Sequence, residues 1–100
     1  MLTSDDVEAI ILGALGALNA GRDPDDQIPA SPKTALFGVD AALDSLGFVS
    51  LVTDVETSLN VDHGLDINLI DERAMSRPQS PYETVATLRD YIVELIQAGS

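Results

Sequence analysis

Apolar residues recur at helical spacing in three separated stretches, and that period decides the class of this chain before any other feature does. In the first stretch Val7, Ile10, Ile11, Ala14, Leu15 and Leu18 mark one face of a helix. Thr3 or Ser4 stands at the N-cap position, and Asp5, Asp6 and Glu8 follow where the helix macrodipole favours acids. Asn19, Ala20 and Gly21 end the pattern, so the spacing predicts a helix over 4–19. Aromatic residues make up only 4% of the chain and β-branched alternation is nearly absent, which leaves a sheet little to build on. The fold is therefore expected to be all-α. With 100 residues, 45% of them hydrophobic, the chain suffices for one small core, and 1–100 reads as a single domain.

The segment from Gly21 to Leu43 carries three prolines and no sustained period, and it reads as a long loop with a short helical turn near Lys33 to Phe37. Ile28, Leu36, Phe37, Val39 and Leu43 give it apolar anchors, so it is expected to lie across the helices. A second helix is predicted over 45–60, with Leu51, Val52, Val55 and Leu59 as its buried side. A short third helix is expected over 68–75, where Leu69, Ile70 and Ala74 can pack and Pro78 blocks continuation. For the last helix, Ser80, Pro81 and Glu83 read as a capping box, and Val85, Leu88, Ile92, Leu95 and Ile96 continue one face, predicting 81–97. The order implies a four-helix bundle with a long first loop and a short third helix.

Seventeen acids against five Lys and Arg leave a formal charge of -12, spread along the chain rather than gathered in a tail. Such a surface repels nucleic acid and anionic membranes and suits partners with basic surfaces. Acids precede the apolar run of the first helix where a signal peptide would carry positive charge, and the run is too short to span a bilayer. A cytoplasmic monomer is expected. There is no cysteine, so no side chain of the chain can supply a thiol, a thiolate metal ligand or a disulfide.

Few residues offer chemistry of their own. Asp23, Asp25 and Gln27 sit at calcium-loop spacing, but Ile28 and Thr34 stand where that loop needs Gly and Glu, and a solvated acidic loop fits better. His63 is the one histidine, without a second ligand at metal-binding spacing, and reads as a surface turn residue. No G-x-S-x-G elbow is present to activate a serine. Ser45 remains as a possible substrate for another enzyme. In the plain reading Asp44 caps the second helix and Ser45 merely occupies its first position. In the functional reading the same helix end, with orphan N–H groups and partial positive charge, seats a phosphodiester.

The wider run "LFGVDAALDSLGFVSLVTDVE" resembles the modification-site region of acyl carrier proteins, and the likeness extends over most of the chain. A long first helix, a long loop through Leu36-Phe37-Gly38 and Leu43, Asp44-Ser45-Leu46 opening helix two, Leu59 and Ile67 beyond it, and a last helix with Val85 and Tyr91-Ile92 follow the family's order. The resemblance implies that Ser45 carries a 4'-phosphopantetheine arm, transferred from coenzyme A by a separate phosphopantetheinyl transferase that uses magnesium. The arm ends in a thiol, which would let a cysteine-free chain hold acyl groups as thioesters. By the same resemblance Asp44 caps the helix and lies beside the transferase's metal. Leu46 and Val49 supply apolar contact to acyl-loading and acyl-processing enzymes, and Asp54 and Glu56 face their basic docking surfaces. Gly47 would leave room for the arm or a partner.

The chain departs from housekeeping fatty-acid carriers on helix two, where Gly47, Ser50, Thr53 and Thr57 replace the usual crowd of acids. This points to a specialised fatty-acid, lipid or polyketide pathway. No catalytic activity of its own is implied. An aminoacyl or peptidyl carrier stays open as an alternative, as does an acidic helical adaptor without a prosthetic group.

Overall fold

The computed structural model describes residues 2–36, 43–69 and 82–98, with the backbone alone at Asp26 and Ser45. Three α-helices lie within them: α1 (Ser4–Asn19), α2 (Ser45–Thr57) and α3 (Val85–Gln97). Among the described residues no strand forms beyond a single antiparallel bridge between Ala35 and Thr84. No helix there is long and apolar enough to cross a membrane.

Helix α1 starts where the acids and the hydroxyl demand it. Thr3 is extended, its hydroxyl accepts from the Asp6 amide at 3.2 Å, and its own amide donates to the Asp6 carboxylate at 2.9 Å. Val7, Ile11, Ala14 and Leu15 are buried, while Ile10 and Leu18 pack half-buried against the core. Helix α1 contacts both α2 and α3, so it forms the middle of the described structure. On the α3 side Arg89 bonds Glu8 at 2.7 Å, with both side chains about a quarter exposed. Hydrogen bonds to Asp90 and then to Glu8 raise the Arg89 guanidinium above its ordinary pKa.

The first loop is tied down at both ends. Asn19, at the end of α1, donates to the Ile28 carbonyl at 2.9 Å and accepts from the Ile28 amide at 2.8 Å, so its amide reads both polar groups of a buried residue. Gln27 folds back to the carbonyls of Asn19, Arg22 and Asp23. Residues 31–34 make a turn, and Ala35 is extended against Thr84; of the helical turn expected over Lys33 to Phe37, the described residues 33–36 are not helical, because this stretch pairs with the α3 start. Ile28, Leu36 and Leu43 are buried anchors, and Phe37 and Val39 lie outside the described residues.

Helix α2 buries Phe48, Leu51, Val52 and Val55. Beyond Thr57 it widens into a π-helical turn, Ser58–Asp62, where the sequence pattern implied a plain helix to 60. The wider turn keeps Leu59 fully buried while Asn60 donates to the Ile67 carbonyl at 2.9 Å and accepts from its amide at 2.8 Å. Gly64, with φ of 66°, supplies the left-handed residue that turns the chain back. Asn68 and Leu69 are not helical, and the rest of the expected third helix lies outside the described residues.

The last helix begins four residues later than the Ser-Pro-Tyr-Glu signal predicts. Ser80 and Pro81 lie outside the described residues, Tyr82 and Glu83 form a turn, and Thr84 is the extended cap residue. Its hydroxyl accepts from the Thr87 amide at 3.1 Å, and its amide donates to the Thr87 hydroxyl at 2.9 Å. Tertiary pairing overrides the local signal. The Leu36 amide donates to Glu83, and the carbonyls of Thr34 and Pro32 accept from Val85 and Ala86, two of the first-turn amides a helix leaves unpaired. Val85, Leu88, Tyr91, Ile92 and Leu95 are buried; Tyr91 takes the place the pattern assigned to Ile96, which is half-buried.

Candidate functional site at the start of α2

Leu43 is buried and fixes the approach of the chain to α2. Asp44 follows with φ of -78° and ψ of 177°, an extended residue outside the helix, and its exposed carboxylate accepts from the Gly47 amide at 2.7 Å. Its carbonyl takes the first intrahelical bond, from Phe48 at 2.9 Å. Ser45 is thus the first helical residue, as the sequence implied. The helix itself has no acceptor for the amides of Ser45 and Leu46, and no acid lies in its first turn.

The side chains around this end divide sharply. Phe48 turns inward and meets Tyr82 edge to face, with ring centroids 5.4 Å apart and planes at 72°. The Tyr82 hydroxyl in turn donates to the Leu69 carbonyl at 2.6 Å, tying this end of α2 to the segment after Gly64. Leu46 points outward with 76% of its surface exposed, and Val49 with 48%.

Gly47 has a reason inside the chain. A Cβ there would stand 3.0 Å from the Asp44 carboxylate oxygen and 3.4 Å from a Leu43 methyl. The missing side chain lets Asp44 fold tightly over the helix end. Room for an arm or a partner is not needed to account for it.

The two acids of α2 do not share a face. Two residues is about 200° around a helix, and Asp54 and Glu56 accordingly occupy opposite flanks. Asp54 lines a groove of about 450 Å³ against Ile10, Gly13 and Ala17 of α1. Glu56 is half-buried, and its carboxylate accepts from the Leu69 amide at 3.2 Å. The two acids expected to face partner enzymes therefore sit on different flanks of α2, and Glu56 also holds the 65–69 segment.

Asp23 and Asp25 are exposed around a short 3-10 turn (Pro24–Asp26). His63 is an exposed residue just after the π turn. Among the described residues no three His, Asp or Glu side chains gather to hold a metal ion. The residues that sequence reasoning passed over are Asn19, Asn60, Thr84 and Tyr82, all of which bond to backbone or to a cap partner. The one faint signal was the repeated Leu-Asn at a helix end, followed seven or nine residues later by isoleucine. No protein-family model, curated protein or solved structure matches the chain.

Proposed function

We propose that the chain is an acyl carrier protein, cytoplasmic and serving a specialised fatty-acid, lipid or polyketide pathway, in which Ser45 bears a 4'-phosphopantetheine. The observation that carries this reading is the start of α2: Asp44 caps it, Ser45 is its first residue, and Leu46 and Val49 lie exposed beside it. The residues suit a phosphodiester at this position. The amides of Ser45 and Leu46 lack helical acceptors, the helix dipole adds partial positive charge, and beyond the Asp44 cap no acid of the first turn opposes the phosphate. When attached, the group supplies a thiol to a chain that has no cysteine, so that acyl groups can be held as thioesters. Asp44 then has two tasks, capping the helix and presenting a carboxylate to the transferase's magnesium. The same reading carries a four-helix bundle, whose remaining helix would fall in the segment after Leu69.

The absence of cysteine makes the test unusually clean. Incubation with coenzyme A, magnesium and a broad-specificity phosphopantetheinyl transferase should add one phosphopantetheinyl group by intact mass and create one titratable thiol per chain. Ser45→Ala should abolish both while changing stability by about 0.5 kcal/mol or less. An unchanged wild-type mass with several active transferases would leave an acidic helical adaptor, in which Asp44 and Ser45 do no more than start a helix.

A further inference from the structure

Residues 65–69, just beyond the π-helical turn, alternate in burial: Ile67 and Leu69 are buried and Leu65 is half-buried, while Asp66 and Asn68 are exposed. That is the period of an extended chain laid over a core, yet among the described residues no strand pairs with it. Side chains take the place of a ladder. Asn60 holds both polar groups of Ile67, at 2.9 and 2.8 Å, Glu56 accepts from the Leu69 amide at 3.2 Å, and the Tyr82 hydroxyl donates to the Leu69 carbonyl at 2.6 Å. At the base of the segment the Leu65 amide reaches back to the Leu59 carbonyl at 3.2 Å. None of these bonds lies within a helix, so all of them can break while α1, α2 and α3 keep their own. The chain also has a joint here. Gly64 has φ of 66°, nothing beyond its chain neighbours lies within 4 Å of where a Cβ would stand, and the turn before it is π-helical, wider and less regular than an α-helical one.

We infer that residues 65–69 form a strap, hinged at Gly64, that opens as one unit while the three helices stay folded. The inference holds whether or not Ser45 is modified. Ile67 and Leu69 leave the core together, because they project on the same side of one extended backbone. Opening returns backbone freedom to the strap, which offsets part of the lost burial and bonding, so it needs less free energy than unfolding the whole chain. What it uncovers is apolar, since both residues belong to the core cluster. The opening also reaches the start of α2. Tyr82 loses the acceptor of its hydroxyl, and its ring is the one that packs edge to face on Phe48, in the first turn of the helix that begins at Ser45.

Native-state hydrogen exchange on the wild-type chain, followed by NMR across a urea series, tests this. The Ile67 and Leu69 amides should exchange about tenfold or more faster than the slowest amides among Leu51, Val52 and Val55, and with a shallower dependence on urea. Glu56→Ala removes a tie made to Leu69 alone; if the strap moves as a unit, exchange at Ile67 should also quicken, by about threefold or more, with helix content unchanged by circular dichroism. If Ile67 and Leu69 share the rate and the urea slope of the α2 core amides in the wild type, the segment unfolds only with the whole chain and the inference fails. If Glu56→Ala quickens Leu69 and leaves Ile67 unmoved, the two residues come away separately and there is no strap. The wild-type comparison decides the matter even where the variant fails to fold.

Discussion

The described helix starts are of two kinds. Helices α1 and α3 open with reciprocal capping boxes, Thr3 with Asp6 and Thr84 with Thr87, in which the cap and the third helical residue satisfy each other's amides. At α3 the first loop adds carbonyls from Thr34 and Pro32. Helix α2 has only half of the device. Asp44 accepts from Gly47, but glycine has no side chain to return the bond, and no acid follows in the first turn. At α1 and α3 the cap residue's own amide is also satisfied; at α2 the Asp44 carboxylate caps alone, with no acid in the first turn beyond it. Under the carrier reading, it is this less fully capped end that would seat the phosphodiester.

The comparison breaks most readily at the caps themselves. Thr84→Ala removes the half-buried hydroxyl that accepts from the Thr87 amide next to the loop bridge and should cost about 2 kcal/mol, the upper range for a cap. Asp44→Ala removes one exposed bond and should cost about 1 kcal/mol. Urea denaturation measures both, and an Asp44 penalty equal to or larger than that of Thr84 would erase the distinction. Asp44→Asn sharpens it further. An asparagine still caps, so stability should stay near wild type, while under the carrier reading transfer to Ser45 should slow at least tenfold for want of the carboxylate.

How much of this was readable beforehand follows from the range of the forces involved. The α1 start and the buried faces of α1 and α2 rest on contacts within one or two turns, and periodicity exposed Val7, Ile11, Leu15, Leu51, Val52 and Val55 as core. The Asp44 cap was equally local. The α3 start was misjudged because Ser80-Pro81-Tyr82-Glu83 is a strong local signal, yet Thr84 is held extended by Ala35, 49 residues away in the chain. Asn19 and Asn60 looked like ordinary helix terminators; what makes them clamps is the burial of Ile28 and Ile67, a tertiary fact. The bond that Glu56 makes within the chain was hidden for the same reason. Its partner is a backbone amide 13 residues on, and nothing in helical spacing points to it.

Gly47 allows a finer test of the α2 start. Replacing a helical glycine by alanine ordinarily gains about 1 kcal/mol, but here the new Cβ would press on the Asp44 carboxylate at 3.0 Å. Gly47→Ala should therefore gain little in the wild-type background and more once Asp44 is also alanine. A double-mutant cycle by chemical denaturation should give a coupling of about 0.5 to 1 kcal/mol. Additive effects would mean that glycine at this position has nothing to do with the cap.

The smallest expected effect lies at the other kind of start. Hydrogen bonds from the Thr3 amide, and then from its side chain, hold the Asp6 carboxyl below its ordinary pKa of 3.8. A carboxyl depressed in the folded chain stabilises it while ionised: the contribution is complete above 3.8 and disappears as pH falls through the lowered folded value. The melting temperature of wild type should therefore exceed that of Asp6→Ala at about pH 6, and the gap should shrink toward about pH 2.5. Because Asp6 is fully exposed, solvent screens the effect, and its direction rather than its size is the test. At α3 the reciprocal partner is the Thr87 hydroxyl, which does not titrate in this range, so the gap between wild type and Thr87→Ala should hold through the same pH interval. If the Asp6 gap also holds at low pH, the α1 box depends on shape rather than charge, and the two reciprocal starts are one device with interchangeable partners.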